Sequence, residues 1–306
     1  MKFKDSFHPY AMITILFWSI AYVLTRLTMQ YFAAGSLAVL RYLIASAILI
    51  GVGIVVKLAP PQKGDFKWFL LSVFFGFFVY LITFNQGCIT VTAATSSVII
   101  AIVPVITTLF ARIFYHEKVT VIQWIATGVE FAGVVVLKLL DSAFLFSSGI
   151  LLLLVAAVAL SAYNLLQRKL TKTYSGLQAS AYSIFAGTIM LAVFLPGAVP
   201  EVRAAPPIQL VYVAILGVFS SALAYLAWAK AMKKAKDTSS VSNYMFITPF
   251  IASLLALLIA GETLDTPTIV GGSVIMAGVL IFNFGDKIFE ALGKAFHRQA
   301  SETKNQ

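Results

Sequence analysis

Gly149-Ile150-Leu151-Leu152-Leu153-Leu154-Val155-Ala156-Ala157-Val158-Ala159-Leu160-Ser161-Ala162 runs without a charge, and Phe246–Ala260 repeats the pattern a hundred residues later. A buried strand is four to eight residues long, so runs of this length read as helix. They lack the apolar/polar alternation of a membrane barrel strand. Outward from these runs the same character continues. Of the 306 residues, 60% are apolar and 11% charged, against roughly 25% charged in a soluble domain. A water-soluble fold of this size would leave large apolar patches exposed. A bilayer removes that difficulty, and helices satisfy every backbone polar group within hydrocarbon.

A span needs about 20 apolar residues. Charge, proline and glycine punctuate ten candidates, roughly 9–30, 35–57, 67–87, 93–115, 121–139, 147–168, 177–196, 208–232, 240–261 and 267–285. Connections are short and leave no room for a soluble domain. The net charge of +10 is topological rather than a nucleic-acid signal, because the bases sit between the spans. With the N-terminus cytoplasmic, the inside segments hold 18 of the 22 Lys and Arg residues. The bias supports an even span count with both termini inside. Cys88, the sole cysteine, allows no internal disulfide and no thiol pair for a metal. Lys2 and Lys4 precede an apolar run, but Trp18, Tyr22 and Arg26 stand where a cleavage site would lie, so the first span is read as retained. Beyond Asp286, Ile288, Leu292 and Phe296 recur at helical spacing among Lys287, Lys294 and Arg298. That tail reads either as an amphipathic surface helix or as a frayed polar end.

The chain repeats itself. Setting Pro104 on Pro249 (249 − 104 = 145) also sets Glu117 on Glu262 and Gly133 on Gly278. Ala132-Gly133-Val134-Val135 matches Ala277-Gly278-Val279-Leu280. Ser19 and Arg26 match Ser161 and Arg168, and Thr95-Ser96-Ser97-Val98 resembles Thr238-Ser239-Ser240-Val241. An odd-numbered unit repeated in tandem must be inverted in the membrane, the architecture of alternating-access carriers. The fold class read from sequence is therefore an all-α polytopic membrane protein with ten transmembrane helices as two inverted five-helix repeats. The repeats cover 9–139 and 147–285, with a cytoplasmic tail at 286–306.

These residues resemble the drug/metabolite transporter superfamily in its ten-helix branch with two EamA domains. The likeness covers residues 9 to 285 and rests on Phe17-Trp18-Ser19, Arg41-Tyr42-Leu43-Ile44-Ala45, Ala94-Thr95-Ser96-Ser97 through Pro104 and Glu117, Gln123-Trp124-Ile125 and Ala132-Gly133-Val134. The second half adds Tyr225, Trp228 and Ala231 at three-residue spacing, Ser239-Ser240, Pro249, Gly261-Glu262 and Ala277-Gly278-Val279. Within the superfamily the chain is most similar to bacterial aromatic amino-acid and metabolite exporters. The resemblance implies a bacterial inner-membrane exporter. Spans one, three, four, six, eight and nine would surround a central cavity, with five and ten as a peripheral pair.

A carrier needs polar groups in the bilayer and aromatic walls for its substrate. The substrate-binding candidates are Trp18, Ser19 and Tyr22 in span one, Tyr80, Phe84 and Asn85 in span three, and Tyr163 and Asn164 in span six. Tyr225 and Trp228 in span eight, and Asn243 and Tyr244 in span nine, complete the set. Each alone is equally a packing residue, since aromatics gather at interfaces and Asn joins helices. Arg41 sits two turns inside span two, where an arginine costs ~2.5–3.5 kcal/mol on insertion scales. It reads as a counter-charge for a carboxylate or as a structural anchor. Glu130, mid-span in helix five, reads as a proton carrier or as a packed carboxyl between helices five and ten. Glu117 and Glu262, at helix C-termini where a negative charge is unfavourable, each call for a partner. Pro104 and Pro249 read as paired hinges or as fixed bends.

The leading reading is a secondary transporter that exports amino acids or related small metabolites. Its partners are a small-molecule substrate and the lipid bilayer, with no nucleic acid, no cofactor and no metal, and a monomer would suffice. No Walker A motif is present to drive transport with ATP. The alternative is a multidrug or organic-cation exporter, for which Glu130 would have to face the cavity. A channel or a non-transporting membrane protein ranks below both. An enzyme ranks last, because His8, His116 and His297 all lie at span edges.

Overall fold

The computed structural model describes residues 6–91, 93–139, 148–260, 266 and 269–286. Its helices follow the apolar runs. They are α1 (His8–Thr28), α2 (Ala34–Val55) and α3 (Lys63–Thr90), then α4 in two pieces (Ala93–Ile100 and Val103–Tyr115), and α5 (Val121–Leu139). The second half has α6 (Ser148–Thr173), α7 (Gly176–Ala204) and α8 (Pro207–Lys234). It continues with α9, built of Thr238–Ser242, Asn243–Ile247 and Thr248–Ala260, and ends with α10 (Ile269–Asp286). Eight helices among the described residues are long and apolar enough to cross a bilayer. Many large apolar side chains are exposed along these helices, Ile189 and Leu258 at 77% among them, as a lipid-facing surface allows. The chain is an all-α, multi-pass membrane protein. Glu262 and the tail beyond Asp286 lie outside the described residues.

The two halves distort their helices at matching places. α3 passes through a π-helical stretch at Phe74–Val79 and α8 through one at Leu216–Leu223. α4 is interrupted before Val103 and α9 turns 3-10 over Asn243–Ile247. In both, the proline falls in the first turn of the piece that follows, where its missing N–H costs nothing. Pro104 thus follows the break in α4, and Pro249 follows the 3-10 stretch of α9.

The glycines Gly133 and Gly278 show how closely the halves correspond. A Cβ on Gly133 would lie 2.8 Å from Ile275 Cγ1 and 2.9 Å from the Gly271 carbonyl. A Cβ on Gly278 would run into Glu130 Cγ and lie 3.2 Å from the Ala126 carbonyl. Ile275 and Glu130, like Gly271 and Ala126, are related by the same offset as the glycines (275 − 130 = 145). The α5–α10 contact is thus reciprocal, the signature of a two-fold relation. Glu130 stands where the second half carries Ile275.

α7 departs from the sequence boundary at 196. A 3-10 turn at Ala192–Phe194 ends its first part, and Pro196 opens a further helix, Leu195–Ala204. This extension brings Glu201 Oε2 to the Ala33 N–H at 3.1 Å, at the start of α2.

Candidate functional site

Trp18 sits at the midpoint of α1, and its ring meets Tyr225 at 5.3 Å and Trp228 at 5.0 Å between centroids. One turn on, Tyr22 meets Phe84 edge-on at 5.3 Å, and Tyr80 stacks on Phe84 at 5.5 Å. All of these rings but Trp228 wall a central cavity of about 20 Å³, lined also by Ala21, Arg41, Leu81, Met245 and Thr248. That is room for a water molecule. Trp18, Tyr22, Tyr80, Phe84, Tyr225 and Arg41 are the sequence candidates that meet here.

Sequence reading passed over Tyr42 and Phe77, which brace the wall from behind. Phe77 lies 5.0 Å from Tyr42, 5.1 Å from Tyr225 and 5.4 Å from Tyr163. The π stretch of α3 makes this possible, because Gly76 within it leaves space for the Tyr163 ring. Met245 and Thr248 were also missed. They sit three residues apart across the 3-10 segment of α9, and in such a helix residues i and i+3 eclipse on one face.

Arg41 is 3% exposed. Its Nε donates to Ser221 Oγ at 3.2 Å, while Nη1 has no hydrogen-bond partner. Ser221 lies in the π stretch of α8. Gly217 in that stretch lets α8 approach α2, since a Cβ there would lie 3.1 Å from the Arg41 carbonyl. Thr248 Oγ1 is also buried without a partner. The cavity therefore combines an incompletely satisfied guanidinium, a hydroxyl and aromatic faces, the groups that recognise a small carboxylate with an apolar body.

The remaining candidates are placed elsewhere. Asn164 accepts from Trp228 Nε1 at 3.0 Å and donates to Thr107 Oγ1 at 3.2 Å, binding α6 to α8 and α4. Among the described residues none of α4 or α6 lines the cavity, and α2 supplies Arg41. Asn85 Nδ2 donates to the Ala34 carbonyl at 3.0 Å, fixing α3 to α2. Ser19 is buried, its Oγ without a partner. Tyr244 hydroxyl meets His8 Nδ1 at 2.5 Å, at the start of α1. Asn243 Nδ2 donates to both oxygens of Glu130, at 2.7 and 2.8 Å, and Asn283 Nδ2 donates to Asn243 Oδ1 at 3.1 Å. Glu130 is thus buried among α5, α9 and α10, outside the cavity.

Glu117 shows how one end of the bundle is closed. His116 adopts a left-handed conformation (φ 52°) that ends α4, and the Glu117 N–H returns to the Ala111 carbonyl at 3.2 Å, a Schellman-type closure. The side chain then reaches α9. It accepts from Thr238 N at 3.0 Å, Thr238 Oγ1 at 2.7 Å and Ser239 Oγ at 3.3 Å. Asp237 caps the same helix through Ser240 N at 2.7 Å. Negative charge unfavourable at its own helix's C-terminus is favourable at this N-terminus. Nearby, Arg168 donates to the carbonyl of Met232 in the last turn of α8 and to those of Ala235 and Lys236 beyond it.

The sequence pattern of the EamA-like transporter family matches this chain twice, at residues 7–139 and 147–284. A probable terminal-alkyne amino-acid exporter from Streptantibioticus cattleyicolor is 27% identical over 271 residues, covering 89% of this chain and 91% of its own. The uncharacterized transporter YdfC of Bacillus subtilis is 28% identical over 277 residues, covering 89% and 90%. The uncharacterized inner membrane transporter YedA of Escherichia coli is 22% identical, covering 95% of both chains. A solved crystal structure superposes with a TM-score of 0.73 at 18% identity, over 92% of this chain and 97% of the other, a likeness of fold.

Proposed function

The chain belongs to the EamA-like transporter family, and from that premise we propose that it exports amino acids or related small carboxylates across a bacterial inner membrane by alternating access. The observation that carries this reading is Arg41, which lines an aromatic-walled cavity and has a buried Nη1 without a partner. A guanidinium held by one serine has donors left for a carboxylate, and the low-dielectric setting strengthens that bond. The name borne by the Streptantibioticus relative agrees with the substrate class. The cation-exporter alternative needs an acid at the cavity. Among the described residues none lines it, and Glu130 is engaged by Asn243.

In this reading the two halves are inverted, the termini are cytoplasmic and one chain is the working unit. The protein carries out no chemistry on its substrate. The Glu117 contact with Thr238 and Ser239 closes the cytoplasmic side. Transport alternates between this closed side and an opening to it.

Counterflow in proteoliposomes, with labelled amino acids and an organic cation beside empty vesicles, tests the proposal. Saturable, self-inhibited uptake of an amino acid is the expected result. Uptake of the cation alone would overturn the substrate class.

A further inference from the structure

A second cavity lies apart from the central one, on the flank of the bundle between α3, α4 and α6. Its volume is about 420 Å³. Phe110 and Phe114 of α4 form one side, Ala162 and Leu166 of α6 the other, and Trp68 and Lys169 close one end. Phe114 is 64% exposed and its neighbour Ile113 is also exposed, so this flank faces lipid. From Ala162 to Lys169 the groove follows α6 for seven residues, roughly 10 Å at 1.5 Å each, against a leaflet of roughly 15 Å.

The end of the groove is basic. Lys169 Nζ lies 3.5 Å over the Trp68 ring, Lys67 Nζ lies 5.3 Å from the same ring, and Lys172 Nζ lies 5.2 Å from the ring of Tyr115. Asp65, the nearest acid in sequence, accepts from Tyr174 hydroxyl at 2.8 Å. Three ammonium groups are thus held by aromatic rings at the membrane surface, directly above an apolar slot sunk into the bilayer.

We propose that this groove binds an anionic phospholipid, its acyl chain lying between α4 and α6 and its phosphate between Lys67, Lys169 and Lys172. The occupant follows from the setting: the slot opens into hydrocarbon, where lipid is the solvent, and its rim has the charge that an anionic headgroup complements. Basic pockets between membrane helices at the cytoplasmic face select such headgroups. This groove is separate from the central cavity and its occupancy does not depend on the transported substrate.

Trp68 reports on the groove. The protein is reconstituted in phosphatidylcholine vesicles containing a small fraction of brominated phosphatidylglycerol or, separately, of brominated phosphatidylcholine. The Trp68 signal is isolated by subtracting a Trp68→Phe variant. Phosphatidylglycerol is expected to quench with an apparent affinity many times higher, each lysine contributing roughly fivefold. Lys67→Gln, Lys169→Gln and Lys172→Gln together should bring the two lipids close to parity, and Ala162→Phe, which fills the slot, should weaken quenching by both. Equal quenching in the wild type, or a preference that survives loss of all three lysines, would overturn the proposal. So would Trp68 quenching by either lipid that falls as protein density in the vesicle rises, because a second copy would then be covering the groove.

Discussion

Arg41 and Glu130 are both charged in character, both buried within the helical bundle, and treated in opposite ways. Glu130 has each oxygen bound by Asn243, Asn243 is held in turn by Asn283, and Gly278 packs on the carboxyl stem. Arg41 has one serine on Nε and an unpartnered Nη1 at a cavity. An unsatisfied buried polar group costs about 1–3 kcal/mol, more when charged. A fold that meets this requirement at one charge and leaves it open at the other has assigned them different work. Glu130 joins helices, and Arg41 waits for a ligand. The repeat sharpens the contrast, since the residue equivalent to Glu130 is Ile275 and the α5–α10 contact forms there without any charge.

The largest expected effect is on transport. Arg41→Gln should lower counterflow of the carboxylate substrate about tenfold to a hundredfold, the worth of a hydrogen bond to a charged group, with thermal stability nearly unchanged. A variant that unfolds instead would make Arg41 an anchor. Next comes stability at the other charge. Asn243→Leu removes the amide that donates to both oxygens of Glu130 and should destabilise by about 1–3 kcal/mol, read as a lower Tm in detergent. Adding Glu130→Ile, the residue of the second half, should recover most of that loss, and additive losses would show that the pair is not coupled. Glu117→Ala should cost about 1 kcal/mol, as cap removals do, and should speed amide exchange in the first turn of α9. Unchanged exchange there would remove Glu117 from the closure. The smallest effect belongs to Glu130→Gln, which keeps the contact to Asn243 and should leave counterflow and its pH profile within about twofold. Abolished transport in that folded variant would reverse the comparison.

The sequence made some of this visible and concealed the rest for definite reasons. Long uncharged runs and the offset of 145 residues announced the helices and their pairing, because span length and repetition do not depend on side-chain direction. Trp18, Tyr22, Tyr80 and Phe84 were legible because an aromatic pair at i, i+4 keeps one face of a regular helix. Phe77, Asn243, Met245 and Thr248 were not assignable in that way. They lie in or beside π and 3-10 stretches, where the turn is no longer 3.6 residues and the face rotates. That is why Asn243 points to Glu130 while Met245 and Thr248 reach the cavity. The partner of Glu117 was also hidden. Its own helix showed only an unfavourable position, and the N–H groups that satisfy it belong to the other half, 121 residues along the chain.

The account rests most heavily on Arg41 as the group that receives the substrate carboxylate. The direct measurement is paired counterflow of an amino acid that the wild type transports and of its decarboxylated amine, in vesicles carrying wild type or Arg41→Gln. The wild type should favour the amino acid, and the variant should lose that preference through the amino acid alone, with the amine unaffected. An undiminished preference in folded Arg41→Gln would contradict the account and move carboxylate recognition to another part of the cavity.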